Sequence, residues 1–192
     1  MNSISSLAPP LPEPSRDLLS AVIEFVWSCS YYPPDGLTQL PRTSFVRAWQ
    51  SLAQLPEGVS ECCIVTDLSQ VRHGTNTYVY RDSADQVGLG SLTMGKLIEH
   101  QVQVDFMATD PQTPIEWPRA RAGLVECVAN STEGNSLLKR INPSLSLMYC
   151  DDVQSLPEMD EAHNLRSRHF VVLHIGQNVL ATLPQEFFEP EP

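Results

Sequence analysis

Positive charge is scarce in this chain: 12 Lys and Arg stand against 23 Asp and Glu in 192 residues, a formal net charge of -11. A surface of that sign repels a phosphate backbone, which argues against wrapping or gripping nucleic acid, though not against bordering it. Apolar runs are short as well. None approaches the roughly 20 residues of a membrane-spanning helix, and no basic segment precedes an apolar one near the start. The expectation is a protein neither secreted nor embedded in a membrane. No internal repeat of fixed period is visible. The five cysteines are an odd count, with Cys62 and Cys63 adjacent and Cys29, Cys127 and Cys150 in apolar surroundings. They lack the spacing of a disulfide framework, so reduced core thiols in a reducing compartment are expected.

Motifs that carry chemistry are also missing. The five histidines (His73, His100, His163, His169, His174) form no i, i+4 pair on a helix, as a metal site on one helical face needs. His169 and His174 fall on opposite faces of one strand. Cys62-Cys63 lacks the two-residue gap of a zinc or redox pair and reads as two small buried hydrophobes. Gly88-Leu89-Gly90-Ser91 has neither the spacing nor the strand-to-helix context of a nucleophile elbow, and no Lys-Ser/Thr follows it to cradle a phosphate. Asp151-Asp152 and Asp160-Glu161 lie in a loop rich in Pro and polar residues, where carboxylates are solvated. No catalytic residue, cofactor or metal site is expected.

What is present is enough to build a core: 42% of residues are hydrophobic, which suits one folded domain of this length. Residues 1–14 carry four prolines and almost no charge and read as an extended arm. A helix follows, with Ser15 placed to cap it and Leu18, Leu19, Val22, Ile23 and Val26 on one face. Tyr31-Tyr32-Pro33-Pro34-Asp35-Gly36 ends it. Phe45-Val46-Arg47-Ala48-Trp49 is a short apolar piece, helical or irregular. Cys62-Cys63-Ile64-Val65 reads as a strand covered on both faces, and Asn76-Thr77-Tyr78-Val79-Tyr80 as a β-branched and aromatic one. A polar, Gly-containing segment, 82–90, separates the latter from residues 96–108. There Ile98, Val102, Val104, Phe106 and Ala108 alternate with Glu99, Gln101, Gln103 and Asp105, interrupted on the apolar face by His100.

Thr113-Pro114-Ile115-Glu116 predicts a helix start, with Thr as cap and Pro in the first helical position. Ile115, Ala122, Leu124, Val125 and Val128 supply its buried stripe, and residues 130–134 end it. A short Leu137-Leu138-Lys139-Arg140 piece precedes a strand at Ser146-Leu147-Met148-Tyr149 and a loop over 151–161. Residues 168–175 are apolar on both faces and belong inside a sheet, with Gly176-Gln177-Asn178 as the turn after it. The order of elements predicts an α+β fold, an antiparallel or mixed sheet with helices packed on one face. The boundaries are an arm (1–14), one domain (15–180) and an acidic tail (181–192). The few basic pairs, Lys139-Arg140 and Arg166-Ser167-Arg168, read as partners for a neighbouring subunit's carboxylates. Extensions and edge strands of this kind favour pairing between copies.

Several segments, taken in order, resemble the tail-terminator or neck family of long-tailed bacteriophages. They are Phe45-Val46-Arg47-Ala48-Trp49-Gln50, Leu68-Ser69-Gln70-Val71-Arg72-His73-Gly74-Thr75-Asn76, Gln101-Val102-Gln103-Val104-Asp105-Phe106, Leu147-Met148-Tyr149-Cys150-Asp151-Asp152 and Arg168-His169-Phe170-Val171-Val172. The likeness covers about residues 45–175. It implies a structural virion protein without catalysis, whose copies close a ring, commonly of six, that caps the tail tube and joins it to the head connector. Genomic DNA would pass through the lumen without sequence-specific binding. Within that picture the hairpin 71–92, with Arg72, Tyr78, Tyr80 and Arg81, and the strand with Arg166 and Arg168 supply subunit or tube contacts. The expected location is the virion neck, and the host cytoplasm during assembly. A head-completion or connector ring, a small non-viral binding module, and an enzyme using Cys127 or Cys150 with a histidine are the rival readings.

Overall fold

The computed structural model describes residues 17–31, 37–48, 59–82, 89–110, 112–114, 116–156, 158–159 and 165–186; the arm 1–14 and residues 187–192 lie outside this set. Three helices, α1 (Leu18–Cys29), α2 (Glu116–Ala129) and α3 (Thr132–Ile141), accompany eight strands. These are β1 (Phe45–Arg47), β2 (Glu61–Asp82), β3 (Leu89–Ala108), β4 (Leu145–Cys150), β5 (Gln154–Ser155), β6 (Glu158–Met159), β7 (Leu165–Arg166) and β8 (Arg168–Glu186). The main sheet has the order β1-β2-β3-β8-β4, with β5 also on β8, and β6 pairs with β7 apart from it. Every pairing is antiparallel except β1 with β2. The fold is α+β, as the element order predicts.

The helices share one face of the sheet. A single apolar cluster joins Val22, Phe25 and Val26 of α1, Ala122 and Val125 of α2, and Leu138 and Ile141 of α3 to Val65, Val102, Val104, Phe106, Val171, Leu173 and Ile175. The even residues of β3 and the odd residues of β8 stand on this face because register pairs them directly, Val104 with Val171 and Val102 with Leu173. Fully burying side chains of this size contributes about 1.5–3 kcal/mol each. The opposite face is covered too: Cys62, Asp105 and Met107 are buried there. Cys62 and Cys63 therefore point to opposite faces of one strand, both buried.

Local chemistry sets the ends of the helices, in places differently from the sequence reading. Asp17, not Ser15, caps α1, its carboxylate accepting from the Ser20 N–H at 3.0 Å and the Ser20 hydroxyl at 2.8 Å. Arg47 reaches the same carboxylate at 2.9 Å. Arg42 pairs with Glu24 at 2.7 Å and lies 4.2 Å over the Trp27 ring. These contacts hold the 3₁₀ turn Arg42–Ser44 and β1 against α1, so Phe45–Arg47, expected to be helical or irregular, is an edge strand that follows a turn, while Trp49 lies outside the described residues.

The Thr113 hydroxyl donates to the Ser60 carbonyl at 3.0 Å just ahead of α2, and Ile115, between them, lies outside the described residues. α2 ends at Ala129, as residues 130–134 predict, and Ser131 caps α3 immediately after it. Gly134 is required there for close approach: a Cβ would stand 2.1 Å from the Val128 carbonyl oxygen. The expected turn at Gly176-Gln177-Asn178 is absent. β8 runs through it to Glu186, six residues beyond the expected domain boundary, because β3 and β4 flank Gly176 on both sides. The expected loop 151–161 contains the short strands β5 and β6.

A buried ion pair pins α2 to the sheet. Arg121, 3% exposed, donates from Nε and Nη2 to both oxygens of Glu61, 2% exposed, at 2.7–3.1 Å. Two desolvated charges tolerate each other only with such two-pronged geometry. Arg121→Ala strands a carboxylate and is expected to cost about 3–5 kcal/mol in urea unfolding. Glu61→Leu combined with Arg121→Met is expected to recover most of that loss.

Candidate assembly interface

β2, β3 and β8 are far longer than the body that covers them. The apolar core ends at Val65, Val102 and Ile175, and the β4 ladder ends at Gln177. Beyond this line β3 and β8 stay paired for nine residues, from Leu97↔Asn178 to Leu89↔Glu186, about 30 Å of sheet. β2 runs alongside from Thr77 to Asp82. The three strands form an arm that projects from the domain.

Two irregularities in β2 shape the arm's root. A register shift between Asp67 and Ser69 leaves Leu68 unpaired and exposed, and moves the odd residues of β2 from the helix-covered face to the opposite one. A second shift between His73 and Thr77 contains Gly74 at φ +70°, a conformation that suits glycine. Arg72 bridges this bulge, its Nη2 donating to Asn76 Oδ1 at 2.8 Å.

On the arm, Tyr78 pairs with Met94 and Tyr80 with Leu92, and Met94 pairs in turn with Ala181. These residues and Val179 share the face that continues the helix-covered one. Tyr78 is 55% exposed and Tyr80 61%. The other face presents Thr77, Thr93 and Thr182 with Val79 and Leu180, the last 69% exposed. Exposed apolar residues standing singly are ordinary, but a contiguous set marks a contact surface.

The six residues expected at an interface therefore divide. Arg72, Tyr78, Tyr80 and Arg81 belong to the arm or its root and are exposed. Arg168 lies at the far end of β8, half-buried, with its Nε donating to Asp105 Oδ1 at 2.9 Å, so its charge has a partner within the chain. Arg166 is in β7, and its side chain lies outside the described residues.

A polar cluster that sequence reasoning missed ties the strands together on the face away from the helices. Glu99 of β3 receives His174 of β8 on one oxygen at 2.5 Å and His73 of β2 on the other. His174 Nε2 stands 3.4 Å from Asp151, and its ring stacks on Tyr149 of β4 at 3.9 Å and 15°. Four segments converge where the arm leaves the body. The hydrogen bond from His174 holds the Glu99 carboxyl below its ordinary range; desolvation opposes this and the His73 bond reinforces it. Nothing in the local sequence announces the cluster, since the register alone brings residues 73, 99 and 174 together. On the helix side, His100 is accommodated by Gln177 Oε1 at 2.9 Å.

Among the described residues, no group of three or more His, Cys, Asp and Glu is arranged to hold a metal ion, and no helix is long and apolar enough to cross a membrane. The five cysteines are free thiols. Burial pushes Cys29 and Cys63 up, and Cys150 up to about 12, the reverse of what a nucleophile needs. A recess of about 220 Å³ is lined by Thr38, Gln39, Trp117 and Arg121, but the guanidinium there is bound to Glu61. No family model matches this chain, and no curated protein matches it.

Because the Glu99 carboxyl is depressed in the folded state, its stabilisation is complete above its ordinary value of 4.5 and is lost as pH falls through the lower folded value. The Tm gap between the parent chain and Glu99→Gln is expected to be full near neutral pH and to narrow below 4.5, read by thermal melts across a pH series. A maleimide label at pH 7 is expected to modify Cys127, the exposed thiol, and to reach the other four only after denaturation, as counted by intact mass.

Proposed function

We propose that this chain is a structural protein of a tailed phage's neck, a tail terminator whose copies close a ring on the tail tube and receive the head connector, with DNA passing through the lumen. The observation that carries this reading is the arm. A stable body with its own core holds out about 30 Å of three-stranded sheet bearing Tyr78, Tyr80, Val79 and Leu180 in the open. A solitary domain gains nothing from ordering such a surface, whereas a neighbouring copy gains apolar area and aromatic anchors. A heterologous contact repeated by rotation closes a ring.

The charge supports the same reading. At -11 per copy, a ring repels the DNA it surrounds and lets it slide. The raised Cys150 thiol speaks against its use as the nucleophile of an enzyme. The resemblance of segments along residues 45–175 to the terminator family is what favours a terminator among such rings.

Light scattering of the purified protein, alone and mixed with tail tube subunits, is expected to give a mass several times the 21.4 kDa of one chain, and electron micrographs to show rings with a central hole. Tyr78→Glu with Tyr80→Glu is expected to reduce the mass to a single chain while leaving the Tm within a few degrees of the parent. Binding to tube subunits rather than to connector protein separates a terminator from a head-completion ring. A parent protein that stays a single chain in every mixture overturns the assignment.

A further inference from the structure

Among the described residues, the body of this sheet closes its own edges and the arm does not. On the β2 side, β1 pairs with residues 63–65 and Ala48 N–H donates to the Val65 carbonyl at 2.9 Å. On the other side, β4 covers β8, and the outer edge of β4 is capped by side chains. Asn130 donates to the Cys150 carbonyl at 3.2 Å and accepts from its N–H at 2.9 Å, while Asn135 accepts from the Leu147 N–H at 3.1 Å. Ser144 takes the Asn178 N–H at 3.1 Å. Past that bond, among the described residues, no strand pairs with the outer edge of β8, nor with that of β2 beyond Val65.

The hydrogen-bond phase of these edges follows from the bonds in the body. Arg168, Val172 and Asn178 turn their backbone groups outward, toward Leu156, Asp151 and Ser144. The β3–β8 ladder has no register shift, so Leu180, Thr182 and Pro184 also point outward. Pro184, which has no N–H, thus sits where its lack breaks nothing in the ladder. By the same alternation, Val65 points outward on β2, and after the two register shifts Tyr78 and Tyr80 do. Among the described residues, both edges offer backbone groups with no strand partner at the same height, since Tyr78 and Ala181 flank Met94.

We propose, resting on the self-assembly reading above, that the arm's β8 edge at 179–183 adds as a parallel strand to the β2 edge at 77–82 of a second copy. The direction comes from topology. β2 and β8 are both antiparallel to β3, so both run from body to tip, and copies related by rotation with their arms side by side present them parallel. The occupant is another copy of this chain because each copy carries both halves of the contact at matching height. A contact between unlike edges leaves one of each free on every pair, so it continues until the ring closes.

Proline at an outward position removes an edge donor and leaves the β3 ladder intact. Thr182→Pro spoils the β8 edge and Tyr80→Pro the β2 edge. Each variant alone is expected to give the mass of one chain, with circular dichroism and Tm close to the parent. An equal mixture of the two is expected to give twice that mass and no ring, because one intact edge of each kind remains. If the prolines unfold the chain, Tyr78→Cys and Ala181→Cys variants in a Cys127→Ser background read the same contact, and are expected to form a disulfide only when mixed. Rings from the parent and from both proline variants, or disulfides within a single cysteine variant, overturn strand addition while leaving the ring reading intact. A parent that remains a single chain overturns both.

Discussion

The continuous antiparallel ladder of β2, β3 and β8 is the constraint on which the rest of this structure depends. Its central strand, β3, bonds to a partner on each side along nearly its whole length, so no part of it can shift without breaking pairs on both sides. The helices cover only one end of this ladder. The apolar cluster lies on a single face, and hydrophobic burial there anchors strands that then continue beyond it. The arm is therefore a stiff extension of the core rather than a loop attached to it.

Polar side chains reinforce the ladder where burial stops. Arg121 and Glu61 hold α2 at the body end of β2. Glu99 lies between two imidazoles at the root of the arm, with Tyr149 stacked on one of them. A carboxylate bonded on both oxygens is fixed in orientation, and in a half-dry site its bonds are stronger than they would be in water. The proposed ring would use this rigidity, since a contact that must close after a set number of copies tolerates little variation in angle.

Much of the body was legible from residues alone. The alternation from Ile98 to Ala108 marked the core face of β3, and Val171 and Leu173 marked an interior strand. Both readings work because a two-residue period has one structural meaning. The helix ends were read less well. Asp17 caps α1 in place of Ser15, and Ser131 caps a further helix, α3, where the sequence showed only a short apolar piece. Gly176-Gln177-Asn178 has turn composition, yet two neighbouring strands hold it extended. Tyr78 and Tyr80 were placed on a strand correctly, but their exposure, on a stretch of sheet beyond the core, follows from the length of the pairing.

The sequence by itself determined the α+β class, the acidic charge, the core faces of β3 and of the first part of β8, and the lack of a local catalytic motif, because all of these depend on composition or on spacings of a few residues. Only the tertiary structure decided that β2 and β8 extend past the core, that a bulge turns His73 toward Glu99, and that Asn130 and Asn135 close one edge while no described strand pairs with the edges of the arm. Those features depend on register between strands separated by tens of residues. Register is set by the summed pairing and packing of whole strands, which no short stretch of sequence records.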